Sequence, residues 1–162
     1  MESANRGARS GRNRNCGGRH PQRREGRALI VLDASAVVEY LIGASMGRVV
    51  GRKLRNHEFD AHVPHLAIIE TVSVLRGLVR ASKLTASRAE GALQDLVQLP
   101  IVRHPHEPLL ERIWQLRANL TAYDAAYVAL ADSLGATLLT CDAHLGRAPL
   151  AGVTVEVVGV AP

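Results

Sequence analysis

The chain has 162 residues, 47% apolar and only 3% aromatic, with a formal charge of +5. That suits one globular domain with an aliphatic core. It excludes a membrane span, a secretory leader and a disulfide framework: no apolar run is long enough, no h-region opens the chain, and Cys16 and Cys141 stand alone.

The charge is uneven. Residues 1–28 hold eight Arg against two Glu, and the rest holds twelve Lys or Arg against thirteen Asp or Glu. Residues 1–27, rich in Arg, Gly and Asn and nearly free of apolar side chains, are expected to be a disordered tail. Such a tail is a solubilising extension, an upstream start that is not used, or a non-specific attractor of phosphates. The domain is expected over residues 28–160, in a reducing cytoplasm.

From there, strand-like and helix-like runs alternate. ALIVLD is a buried strand. Residues 35–43 and 45–57 read as helices, the second with basic residues on one side. AHVP is a short strand. HLAIIETVSVLRGLVRAS is a long helix with Ile68, Val72, Leu75 and Val79 as its apolar stripe. TASRAEGALQDLVQL follows as a helix, with Ser87 and Glu90 as a candidate capping box. IVRH is a strand. EPLLERIWQLRANL and TAYDAAYVALADSLG are helices, the latter closed by Gly135. ATLLTCD and VTVEVV are strands. Short apolar strands interleaved with helices predict a doubly wound α/β domain with a parallel sheet.

Four carboxylates stand out. Asp33 and Asp142 end strands, where helix caps belong. Asp124 follows Thr121 at capping-box spacing. Glu70 lies inside a helix with no Lys or Arg at i±3 or i±4; its helical neighbours are Ala67, Ser73, Val74 and Gly77. Each of the four has a structural explanation alone. A parallel sheet with right-handed crossovers, however, puts the ends of its strands on one edge, where α/β domains bind ligands. Carboxylates gathered there repel one another unless a divalent cation joins them. Such an ion lowers the pKa of a bound water and stabilises charge on a phosphoryl oxygen. Glu39, near Asp33, is read as facing water. The pairs His62/His65 and His104/His106 lack further ligands and are not read as a metal site.

The segments IVLDASAVVE, HLAIIETVSVLRG, TAYDAAYVALA and LLTCDAHL resemble the four acidic motifs of the PIN-domain family, and within it the VapC-type toxins of bacterial toxin–antitoxin pairs. The resemblance spans residues 28–158. It implies a three-layer α/β/α fold around a mostly parallel, short-stranded sheet. It implies a Mg²⁺-dependent endoribonuclease, with Mn²⁺ as an alternative ion, that hydrolyses RNA by metal-activated water. Asp33 and Asp124 would be the principal metal ligands, Glu70 a further acid placing metal or water, Asp142 the fourth acid, and Ser35 a supporting hydroxyl. Ser73 stands where relatives often carry Asn. A small antitoxin and a second copy of the chain are the implied partners. Arg48, Arg52, Lys53 and Arg55 are candidate RNA contacts.

Two other readings fit parts of the pattern. One is a catalytically idle RNA-binding or interaction module on the same fold. The other is an aspartyl phosphatase-like enzyme, against which Ser35 stands: that chemistry wants a second acid two residues after the first.

Overall fold

The computed structural model describes residues 29–147 and 152–159. The Arg-rich tail expected over residues 1–27 lies outside them. Five parallel strands form one sheet: β1 (Ile30–Leu32), β2 (Ala61–Pro64), β3 (Ile101–His104), β4 (Thr137–Thr140) and β5 (Val155–Val157), in the order β3-β2-β1-β4-β5. The chain builds outward from β1 through β2 to β3, then returns to the other side of β1 for β4. The strand order therefore reverses between β1 and β4, and a crevice opens at such a switch, beyond the strand ends.

Among the described residues, seven α-helices surround the sheet: α1 (Ala34–Ile42), α2 (Ser45–Asn56), α3 (Leu66–Arg80), α4 (Ala86–Gln98), α5 (Leu110–Gln115), α6 (Ala122–Leu134) and α7 (Ala143–Arg147). The result is the expected three-layer α/β/α arrangement. Strand β1 is buried along its whole length, as a central parallel strand requires. Helix α6 packs on β1, β2 and β4 and buries every residue from Ala125 to Ala131. A helix apolar on all sides belongs inside a domain, and its alanines let it lie close to the sheet. Gly135, in the left-handed region at φ 60°, ends it as expected.

Three expectations need correction. Helix α4 is capped by Thr85, whose hydroxyl accepts from Arg88 N at 3.2 Å; Ser87 already lies inside the helix, so the Ser87/Glu90 box does not form. The buried line of α3 is Ala67, Thr71 and Leu75, and Val72 is 41% exposed. One residue turns a helix by about 100°, and the observed rotation sets Glu70 at the edge of the buried face, beside Thr71. The helix expected over residues 107–120 is much shorter. Residues Glu107–Leu109 form a 3-10 turn around Pro108, and α5 ends at Gln115. No side chain of α5 is fully buried, so little packing supports a longer helix. Arg117 closes it, donating to the Trp114 carbonyl at 2.8 Å with its guanidinium over the indole.

Helices α1 and α2 meet at Gly47, where an added methyl would overlap the Glu39 carbonyl oxygen and press on the Tyr40 backbone. Backbone cannot yield as a side-chain tip can. Gly47→Ala is therefore expected to destabilise the domain by about 1–3 kcal/mol, read as a lower midpoint in urea unfolding; a parental midpoint would refute the close contact.

The edge strand β3 is joined to β2 by a histidine pair, His62 Nδ1 to His104 Nε2 at 2.9 Å. The Asp60 carboxylate lies 3.3 Å from His62 Nε2 and favours a proton there, so His104 Nε2–H is the donor and His62 Nδ1 the acceptor. Burial holds the pKa of both rings below that of a free histidine, with Asp60 opposing at His62 and the neighbouring His62 and His65 adding to it at His104. The unfolded chain thus takes up these protons at higher pH than the folded one. Their contribution is complete above the unfolded value of about 6.5 and is lost as pH falls below it. Melting temperature is expected to drop between pH 7 and pH 5, and His104→Gln to flatten that slope; an equally steep slope in the variant would count against the pair.

Candidate active site

Asp33 follows β1 directly and caps α1. Its Oδ1 accepts from Ser35 N at 3.1 Å, and its Oδ2 accepts from the hydroxyls of Ser35 at 2.8 Å and Thr140 at 2.5 Å. The direction of these bonds follows from their neighbours. Cys141 N–H donates to Ser35 Oγ and Asp142 N–H to Thr140 Oγ1, both at 2.9 Å. Both hydroxyls accept there, which leaves their protons for Asp33. The 3.3 Å contact between the two hydroxyl oxygens is then simple proximity. Thr140 was not singled out in the sequence. Its signal is local: a polar residue that follows two buried leucines at the end of β4, itself fully buried and therefore in need of a partner.

Glu70 comes from the middle of α3. Its Oε2 accepts from the phenol of Tyr127 at 2.5 Å. Burial raises its pKa, the Tyr127 hydrogen bond opposes the rise, and the charges of Asp33 and Asp124 add to it. Three carboxylates from three separate elements therefore lie within electrostatic reach at the β1–β4 switch. Asp124 stands in the first turn of α6, where Thr121 caps the helix: Asp124 N–H donates to Thr121 Oγ1 at 3.1 Å, and that hydroxyl donates back to Asp124 Oδ2 at 2.7 Å.

Asp142 is set apart. It is exposed beyond β4, and its Oδ1 accepts from His144 N at 2.7 Å at the start of α7. It is tied to the site through Thr140 rather than through its own charge. Glu39 corrects the expectation that it faces water: the residue is half-buried, and its Oε2 is fully covered without a hydrogen-bond partner. Its charge and that of Asp33 add to burial in pushing the Cys141 thiol up to about 11. On α2, Arg48, Arg52 and Arg55 are exposed and line a cleft of about 600 Å³ with Tyr40. Lys53 is turned away to Glu156, at 2.5 Å.

The donor set is wholly oxygen, which suits a hard divalent cation. Among the described residues, no three acidic, His or Cys side chains stand close enough to enclose an ion by themselves. An ion there would be held by one or two carboxylates and keep several waters. The Glu70 pKa is raised mainly by burial, and an added positive charge would offset the further rise that Asp33 and Asp124 cause.

Among proteins of known type, VapC ribonuclease Mb0985 of Mycobacterium bovis is 40% identical over 132 residues, covering 80% of this chain and 98% of its own. Ribonuclease VapC1 of Mycobacterium tuberculosis is 43% identical over 120 residues, covering 74% and 90%. Two crystal structures share the fold. VapBC2 from Rickettsia felis, bound to a DNA fragment from its promoter, superposes with a TM-score of 0.61 at 12% identity, over 80% of this chain and 98% of that one. PAE2754 from Pyrobaculum aerophilum superposes with a TM-score of 0.57 at 24% identity, over 81% and 85%. Residues 30–150, from the first strand past the last of the four acids, match the PIN domain, and the chain belongs to that family.

Proposed function

We propose that this chain is an endoribonuclease, the toxin of a type II toxin–antitoxin pair, working with Mg²⁺ or Mn²⁺. The observation that carries the reading is the meeting of Asp33, Glu70 and Asp124 at the β1–β4 switch. The near full-length similarity to ribonucleases of the VapC type supports it.

Asp33, Glu70 and Asp124 would hold the ion between them, one or two directly and the rest through its waters, with Asp142 at the rim. A divalent ion there supplies a more acidic water and stabilises charge on a phosphoryl oxygen. Ser35 and Thr140 hold Asp33 in place by donating to it. The helix N-termini at Asp33 and Asp124 favour negative charge and so favour an approaching phosphate. Arg48, Arg52 and Arg55 line the cleft along α2 where RNA phosphates would lie. Lys53, already paired, is the weakest of the four basic candidates.

A small antitoxin is the proposed partner, as the VapBC structures that share this fold hold toxin and antitoxin together. The chain would also pair with a second copy of itself. Exposed apolar side chains supply surface for such contacts: Ile69 and Val72 on α3, and Leu110 and Trp114 one turn apart on α5. Among the described residues no helix is long and apolar enough to cross a membrane.

Glu70→Gln gives the sharpest test. The amide keeps an oxygen for the Tyr127 phenol and removes the charge, whereas Asp33→Asn would disturb a cap with three donors. The parent is expected to cut RNA with Mg²⁺ and to stop on chelation. Glu70→Gln should lose about 100-fold or more, since an active-site metal accounts for several kcal/mol and each ~1.4 kcal/mol is tenfold. Without metal, its melting temperature should match or exceed the parent's, because a repulsion is gone. Parental cleavage by this variant would overturn the site, and tight RNA binding by the parent without turnover would favour the idle module.

A further inference from the structure

Tyr127 raises a question that packing does not answer. It is 2% exposed, within a run of α6 whose other buried members are Ala, Val and Leu. Phenylalanine would fill the same space and ask for no partner, whereas a buried phenol must find one. The partner is Glu70 Oε2, reached across 57 positions of sequence. Tyr127 also lies one helical turn after Asp124, so one face of α6 brings both groups to the site. The start of α1 is close as well: the Ala34 backbone N–H bears on the phenol oxygen.

We propose that Tyr127 is a positioning residue for Glu70, holding Oε2 so that Oε1 is presented to a divalent cation at the Asp33–Asp124 crevice. The inference rests on the proposed metal-dependent nuclease and adds a role that its four acids do not contain. Glu70 has the greatest freedom among those acids. It has three rotatable bonds, no cap role, and two like charges beside it. Left alone, that side chain would swing towards solvent, away from Asp33 and Asp124. The phenol prevents this by donating to the oxygen that faces α6. Ordering of Glu70 is then complete before an ion arrives, and metal binding does not have to supply it. Partners of this kind, one step behind a ligand, commonly set affinity by 10–100-fold.

The test uses the full chain, with Mn²⁺ titrated by calorimetry in the absence of RNA and the Mn²⁺ dependence of cleavage measured alongside. Tyr127→Phe is expected to weaken Mn²⁺ uptake by about 10–100-fold. Its cleavage rate at saturating Mn²⁺ should fall far less than its affinity. In the Glu70→Gln background the same change should add no further loss of affinity, because the phenol acts through that carboxylate. Glu70→Asp serves as a second variant that keeps the phenol: the shorter acid retains its charge but withdraws from Tyr127, and should show a similar loss. Parental Mn²⁺ affinity in Tyr127→Phe with a lowered melting temperature would make Tyr127 a core residue only and overturn the inference. Additive losses in the double variant, or parental affinity in Glu70→Asp, would do the same. A parent that neither takes up Mn²⁺ nor cuts RNA would instead sink the nuclease reading, and this inference with it.

Discussion

The Asp33 carboxylate, accepting from one backbone N–H and two hydroxyls, is the junction on which the rest of the site depends. It ends β1, caps α1, and reaches across to β4 through Thr140. A carboxylate that is 9% exposed must find such donors. The donors are in turn fixed by backbone N–H groups of Cys141 and Asp142, which leave the hydroxyls one direction in which to give their protons. The sheet register and the placement of the Asp33 carboxylate are thus parts of one hydrogen-bond chain. Shifting β4 by one residue against β1 would turn Thr140 to the opposite face and remove a donor from Asp33.

The three meeting acids differ in what offsets their charge. Asp33 and Asp124 occupy the first turns of α1 and α6, where unpaired N–H groups and the helix dipole favour an anion. Glu70 is the fifth residue of α3, past the first turn, and has only the phenol of Tyr127. Burial raises its pKa, and the charges of Asp33 and Asp124 add to the rise. The domain carries a local repulsion that a better-packed apolar site would lack, a common trade where function needs charge in one place.

Much of this was legible from the chain alone. Strand-like runs of four to seven residues between helical patterns pointed to five strands, and the right-handed crossover rule then placed Asp33 and Asp142 on one edge. The motif around Asp124 placed it on the same site, which position along the chain did not. What escaped were features decided by rotation and pairing across distance. The turn of α3 that exposes Val72 and seats Glu70 depends on Thr71 and Leu75 meeting the core. The reach of Tyr127 to Glu70 spans two helices. Thr140, hidden in LLTCD, acquires meaning only once β4 lies beside β1. The short α5 could not be foreseen from periodicity, since its apolar pattern continues through Leu116 and Leu120, which still pack against the core after the helix has ended.

The same geometry lets helix cap and ligand, posed as alternatives by the sequence, coexist. A carboxylate has two oxygens and about four acceptor positions. Asp124 takes the Thr121 hydroxyl on Oδ2, Asp142 takes the His144 N–H on Oδ1, and Glu70 takes the phenol on Oε2. Each of these structural bonds uses one oxygen and fixes the plane of the group, leaving the other oxygen with a defined direction. Even Asp33, with both oxygens engaged, has a single backbone donor on Oδ1 and room for another partner there. Capping therefore does not compete with metal binding at these positions. It removes rotational freedom that an incoming cation would otherwise have to restrain, so residues best explained as caps are also those best prepared to be ligands.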